Sequence, residues 1–346
     1  MQTRTKKKLA FIDHSFHRVT RSSEFFQEIL RYEYEITVFF DDAWRGGPAV
    51  DPRIINAESF DVVLFWQSLP SPFNILRLTC NNLFWVPMYD SEQYRSPISW
   101  RALRRLGLKV ICFSKALYEI TRRFELSSLY AQYFPEPLEP IVSHEGIRVF
   151  LWQRVNKIDW PLVKRILAAN NINKIVLKAD PDPNFAFTEP TAEDIERFGI
   201  EVVRDLKVSS GASHADYLRL LSKCNVFIAP RLAEGIGMAF LEAMAMGMCV
   251  VGLDRPTMNE YIIPGKNGFL FDPRHVDPID LANFAECGRR ARTGIARGRA
   301  EWQSSRSVIL RFVSEAFPEK PSCWNAALAL LFWEGGRVSH KLSSRP

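Results

Sequence analysis

Apolar runs of four to seven residues alternate with longer helix-patterned segments over nearly the whole chain. A strand that feeds a helix and returns as a parallel strand has this pattern, so the alternation restricts the fold to an α/β class with parallel sheets. The strands expected in the first half are Leu9–Ile12, Ile36–Phe40, Val62–Phe65, Leu83–Pro87 and Val110–Phe113. A helix over Ser22–Tyr32 is opened by two serines and Glu24. The alternation breaks at Pro135-Glu136-Pro137-Leu138-Glu139-Pro140, where the prolines exclude regular helix and disfavour a central strand. It resumes with Val149–Trp152, Ile175–Lys178, Glu201–Val203, Val226–Ala229 and Cys249–Gly252, with helices such as Asp159–Ala169 and His214–Ser222 between them. At 346 residues the chain exceeds what one core usually supports. The expectation is two Rossmann-like domains, 1–140 and 141–303, joined at a semi-rigid proline linker, and a terminal segment, 304–346.

Composition removes several function classes. Hydrophobic residues make up 47% and charged residues 24%, as in globular proteins, and no apolar run approaches the roughly 18 residues of a membrane span. The apolar stretch after the basic N-terminus, Leu9–Ile12, is too short for a secretory signal, so a cytoplasmic location is expected. Six scattered cysteines form no paired motif, and neither zinc nor a disulfide framework is expected. The net charge is +6, and the segment from Arg289 to Arg311, with seven arginines and one acid, accounts for the excess. It reads either as a solvated helical face or as a peripheral contact with anionic lipid or a phosphorylated acceptor. No nucleic-acid motif accompanies it, and no nucleic-acid partner is expected.

The chemistry concentrates between Ala229 and Gly252, where strand, glycine loop, helix, glycine stop and strand follow in order. The helix from about Gly237 to Met246 is apolar nearly all round except for Glu242. An ionised carboxylate left unpaired there costs several kcal/mol on the order of known desolvation penalties, so something must hydrogen-bond it. Sugar or ribose hydroxyls suit an acceptor-only group, and a buried arginine is the structural alternative. Glu234 lies eight residues earlier, at the carboxyl end of a strand, where doubly wound folds gather ligands. Gly235 and Gly237 let backbone amides approach a phosphate or sugar at the positive helix end.

Glu234 through Glu242 resembles the E-x7-E signature of retaining glycosyltransferases of family 4, which have the GT-B fold of two Rossmann-like domains facing a cleft. Asn259-Glu260-Tyr261 and Gly265-Lys266-Asn267-Gly268-Phe269-Leu270 are similar to the turn that this family places after the next strand, and the similarity extends over about 215–273. The resemblance implies donor contacts through Glu234, Gly235, Ile236, Gly237, Met238 and Glu242, with Glu234 meeting the donor sugar and Glu242 the ribose. It also implies cations after the first strand of the second domain that neutralise the donor pyrophosphate. Arg154 and Lys157 are placed there, three residues apart where the family has five, and Lys178 competes with Lys157. In the first domain, His14 and Ser15 follow the first strand without the family's glycines, and Met88-Tyr89-Asp90 resembles the site of a His-Asp pair. The catalytic candidates are therefore Glu234, Asp90 and His14, and the acceptor-side candidates His14, Ser15 and Tyr89.

Asp180-Pro181-Asp182 spells a metal-binding DxD, but its flanking prolines favour a plain turn, so no metal and no cofactor beyond the nucleotide-sugar donor is expected. The resemblance implies transfer to a glycan or lipid-linked acceptor with retention of configuration, in cell-envelope polysaccharide synthesis. It also implies that the segment from about Ser304 crosses back to the first domain. The alternatives are a nucleotide-sugar epimerase and a non-catalytic nucleotide-sugar-binding scaffold.

Overall fold

A computed structural model describes residues 6–206, 213–315 and 321–343. The chain divides into two units, one of residues 1–132 with 304–346 and the other of residues 133–303. Each holds a six-stranded, wholly parallel sheet.

In the first unit the strands are β1 (Lys7–His14), β2 (Tyr34–Asp41), β3 (Val62–Trp66), β4 (Leu83–Val86), β5 (Lys109–Cys112) and β6 (Ser127–Tyr130). Their spatial order is β2-β1-β3-β4-β5-β6, so the sheet reverses direction of growth between β1 and β3. β3, β4 and β5 are buried on both faces, which explains why they read as unbroken apolar runs. Helix starts follow the local chemistry. Ser96 caps Pro97–Arg105 with proline in the first turn, and Ser114 caps Lys115–Arg123. The core on one face of this sheet joins Trp85, Trp100 and Leu103 to Ala329 of the terminal helix Cys323–Ser343.

The second unit contains β7 (Ile147–Gln153), β8 (Ile172–Ala179), β9 (Ile200–Val203), β10 (Val226–Ile228), β11 (Cys249–Leu253) and β12 (Gly268–Phe271). Their order, β12-β11-β10-β7-β8-β9, puts the topological switch between β7 and β10. Ligands of open α/β sheets bind outside the carboxyl ends at such a switch. Phe150 of β7 and Phe227 of β10 stack at 5.7 Å beneath it. The helix His214–Leu221 starts at a capping box made by Ser213 and Asp216.

The structure differs from the sequence expectation at three places. Two strands escaped the pattern, β6 with its sequence Ser-Ser-Leu-Tyr and β12, which sits inside the segment read as a turn. Both are sheet edges, paired on one side only, and need less apolar character. The proline-rich stretch is no free spacer. Leu138 N–H bonds the Ala245 carbonyl at 3.2 Å and Val142 N–H that of Met246 at 3.1 Å. Arg292 donates to the Leu138 carbonyl and pairs with Glu139 at 2.7 Å, and Arg299 pairs with Glu136 at 2.8 Å. Two of the seven arginines in the basic segment thus hold the proline stretch against the 31-residue helix Phe284–Ser314.

Candidate functional site

In the second unit, the loops after β7, β8 and β10 bring together most of the residues read as donor-binding. Glu234 is buried in the loop after β10. That loop is fixed by Thr257, itself fully buried, whose hydroxyl donates to the Glu234 carbonyl at 2.6 Å and to the Gly235 carbonyl at 3.3 Å. Gly237 precedes the helix Met238–Ala245 with φ 84°, and a Cβ there would fall 1.9 Å from the Phe240 ring. Glycine is therefore required on two counts, left-handed backbone and space. The first-turn N–H groups of the helix it opens have no carbonyl partner within the helix itself, and Ile236 and Met238 flank that turn.

Glu242 keeps 15% of its side chain exposed, and its charged partner among the described residues is His214, at 3.4 Å and itself largely exposed. The buried arginine that would have made Glu242 a structural residue is not found among its described partners. Burial pushes the Glu242 carboxyl up to about 8. Tyr217, in the helix His214–Leu221, adjoins the same place. Its phenol is raised well above its ordinary value by burial and then by the Glu242 charge, with Arg154 opposing and Glu234 adding a smaller push. Its hydroxyl is buried and has no hydrogen-bond partner among the described residues. The ring packs against Trp152 of β7 at 5.8 Å and His214 at 6.0 Å.

The cations are arranged differently from the reading of the sequence. Arg154 follows β7 directly, and its Nε and terminal nitrogen lie 2.8 and 2.7 Å from Asp182 Oδ1. The other oxygen of Asp182 meets Arg231, after β10, at 2.6 Å. The DxD turn is thus more than a plain turn, since Asp182 gathers two guanidiniums. Lys157 is exposed and stands apart from this group in the contacts described. Lys178 is buried, pairs with Asp180 at 2.5 Å and lies 3.8 Å from the centre of the Trp152 ring, which Arg154 also approaches at 4.6 Å. Arg231 and Tyr217 were missed by the sequence reading; the position of Arg231 three residues before Glu234, just past a strand, is the signal that was available. Among the described residues no cluster of His, Cys, Asp or Glu could hold a metal ion.

In the first unit, the residues read as acceptor-binding lie at the carboxyl ends of β1 and β4. Asp13 is buried, accepts from Ser23 at 2.5 Å and meets His17 Nδ1 at 2.7 Å. His14 stacks on Trp44 at 4.1 Å and on His17 at 5.1 Å. Burial, then the neighbouring His17, lowers its pKa to about 4, so it is neutral at physiological pH, and its Nδ1 is buried with no hydrogen-bond partner among the described residues. Ser15 donates to Asp42 and accepts from Trp44 Nε1 at 3.1 Å. Tyr89 and Asp90 open the short helix Tyr89–Glu92, with Asp90 accepting from Ser91 N–H at 2.9 Å.

Residues 201–283 match the family described as glycosyl transferases group 1. They span His214, Tyr217, Arg231, Glu234, Glu242 and Thr257, whereas Arg154 and Asp182 lie outside. The chain is 24% identical over 153 residues to the GtfA subunit of the UDP-N-acetylglucosamine–peptide N-acetylglucosaminyltransferase of Streptococcus gordonii; the match covers 43% of this chain and 29% of that relative. The chain therefore spans less than a third of the length of this curated relative. Among solved structures, HepE of Anabaena in complex with UDP-glucose superposes with a TM-score of 0.57 at 14% identity, covering 88% of this chain and 99% of that one. Sucrose-phosphate synthase of Thermosynechococcus elongatus gives 0.56 at 14% identity over 98% and 100% of the two chains. Two six-stranded parallel α/β units of the GT-B type make up this chain, and the second contains the segment that matches the model of the glycosyl transferases group 1.

Proposed function

We propose that the protein is a glycosyltransferase that moves a sugar from a nucleotide-sugar donor held by the second unit. The observation that carries this reading is Glu242, a buried carboxyl on an apolar helix whose described charged partner is one exposed histidine at 3.4 Å. A ribose diol would supply the two donors that this group lacks. Glu234, fixed by Thr257 at the mouth of the glycine loop, would meet the sugar, and the guanidinium of Arg154 would stabilise the charge that develops on the leaving phosphate. The group 1 match and the UDP-glucose bound by HepE support a nucleotide-sugar donor.

The finer parts of the proposal follow the E-x7-E resemblance: retention of configuration, independence of metal, a glycan or lipid-linked acceptor, and a cytoplasmic role in cell-envelope polysaccharide synthesis. His14, Ser15, Tyr89 and Asp90 are the acceptor-side residues it implies. Among the described residues no helix is long and apolar enough to cross a membrane. Peripheral contact with anionic lipid would rest on the exposed Arg289, Arg290, Arg297, Arg306 and Arg311, because Arg292 and Arg299 are engaged by the proline stretch.

The test is a thermal-shift panel of UDP-, GDP-, ADP-, CMP- and TDP-sugars on the wild type and on Glu242→Ala. A donor at 100 times its dissociation constant adds about 2.7 kcal/mol, and one nucleotide is expected to stabilise the wild type alone. If no nucleotide stabilises the folded protein, the reading is lost. Stabilisation without transfer or hydrolysis of the sugar would leave a binding scaffold.

A further inference from the structure

We propose that Cys249 and Cys287 form a redox-active dithiol that hydrogen peroxide closes to a disulfide, tying the strand after the Glu242 helix to the first turn of the helix Phe284–Ser314. Both cysteines belong to the second unit, and their chemistry is independent of the donor.

The two residues are far apart in the chain and are brought together by tightly packed backbone. Cys249 opens β11, just past Gly247, where the helix Met238–Ala245 has ended. Cys287 lies in the first turn of the helix Phe284–Ser314. The two elements touch at Gly247 and Gly288, where an added Cβ on Gly288 would fall 2.2 Å from the Gly247 carbonyl oxygen. Across this contact the two thiols share a hydrogen bond. Cys249 is wholly buried, and Cys287 is 1% exposed.

The pair is chemically asymmetric. Burial disfavours a thiolate, and it pushes the buried Cys224 up to about 12. Cys287 departs in the other direction. The hydrogen bond from Cys249 holds its thiol below the usual range against burial, and Arg290 and the Gly268 N–H act the same way. Cys249 is raised well above its ordinary value by the same hydrogen bond and by burial. Two thiols that merely fill space would both be raised; here one is poised as the nucleophilic thiolate and its neighbour as a thiol. Ala282, Asn283, Arg289 and Arg290, on either side of Cys287, are exposed. The thiolate thus lies one layer below solvent, in a terminal helical turn, where local opening costs least.

The Cys287 thiolate attacks one oxygen of the peroxide, the O–O bond breaks and hydroxide leaves, and Cys287 becomes a sulfenic acid. The Cys249 sulfur then attacks that of Cys287. The S–S bond forms, the S–O bond breaks, and the departing hydroxide takes the Cys249 proton as water. The thiols are oxidised by two electrons, the peroxide is reduced, and a dithiol reductant restores the pair by exchange.

The experiment is peptide mapping by mass spectrometry of the full chain treated with hydrogen peroxide, for the wild type, Cys249→Ser and Cys287→Ser, with remaining thiols alkylated in denaturant. The wild type is expected to give a Cys249–Cys287 cross-linked peptide pair that dithiothreitol removes. Cys249→Ser should stop at the sulfenic acid, trapped on Cys287 by dimedone, and Cys287→Ser should leave Cys249 open to alkylation. The oxidised wild type should also melt about 5 °C above the reduced protein, because the bond closes a long loop. The dithiol is overturned if both cysteines stay open to alkylation, if Cys287 passes to a sulfinic acid with no link to Cys249, or if the exposed Cys323 carries the links instead. A dimedone adduct on Cys249 in Cys287→Ser overturns the assigned roles. If neither variant folds, the wild-type map decides alone.

Discussion

A carboxyl group raised to about 8 sits on the protein side of a proton linkage, and Glu242 makes that linkage measurable. Its folded value lies above its unfolded value of 4.5. The associated stability is therefore complete below pH 4.5 and is lost as pH rises toward 8, by on the order of 3 kcal/mol at neutral pH. Glu242→Gln removes this titration. Its melting temperature relative to wild type is expected to rise steadily from pH 5 to pH 8, and equal pH profiles for the two proteins would refute the assignment. Donor hydroxyls favour the ionised form, so nucleotide binding should release protons and tighten as pH approaches 8. Titration calorimetry in buffers of different ionisation enthalpy reads the proton release directly. The sequence made Glu242 conspicuous because one charge interrupts an apolar helix. Arg231 was hidden for the opposite reason: it is an ordinary polar residue in a loop, and only the folding of β7, β8 and β10 side by side makes it a neighbour of Asp182.

The helix Phe284–Ser314 separates two uses of glycine within one element. A Cβ on Gly288 would lie 2.2 Å from the Gly247 carbonyl oxygen, backbone that cannot turn aside. A Cβ on Gly294 would meet no described atom within 4 Å beyond its own stretch of helix. Alanine is the better helix former by about 1 kcal/mol, so Gly294→Ala should stabilise by that order. At Gly288 the overlap costs more than the propensity returns, and a net loss of about 1–3 kcal/mol is expected. Chemical denaturation of the two single variants tests the contrast, which fails if both shift the midpoint the same way. Elements of this kind show how far the sequence was legible. Strands buried on both faces, such as Val62–Trp66, were visible as apolar runs. The edge strand Ser127–Tyr130 was not, because half of its residues are serine and one flank is unpaired. The proline stretch was visible as a break in the pattern, but its attachment by Arg292 and Arg299 depends on residues more than 150 positions away.

Each of the two units has its own sheet and its own core, and they are expected to respond to different perturbations. Ala329, fully buried in the core of the first unit, is far in sequence from the candidate site of the second. Ala329→Asp buries a charge without a partner and should destabilise the first unit by several kcal/mol, on the order of the desolvation cost. UDP should still raise the calorimetric component of residues 133–303, and loss of that rise in a folded second unit would refute the separation. The first unit is also discontinuous in the chain. Its strands end at Tyr130, yet Asn82 bonds the Val313 carbonyl at 3.0 Å, Lys109 bonds that of Phe312 at 3.0 Å, and the Trp85 and Trp100 core awaits Ala329. During synthesis the ribosome delivers the whole of residues 133–303 before those partners exist. The unit that starts first is therefore finished last, and its nascent sheet lacks those partners until the whole of the second unit has been made.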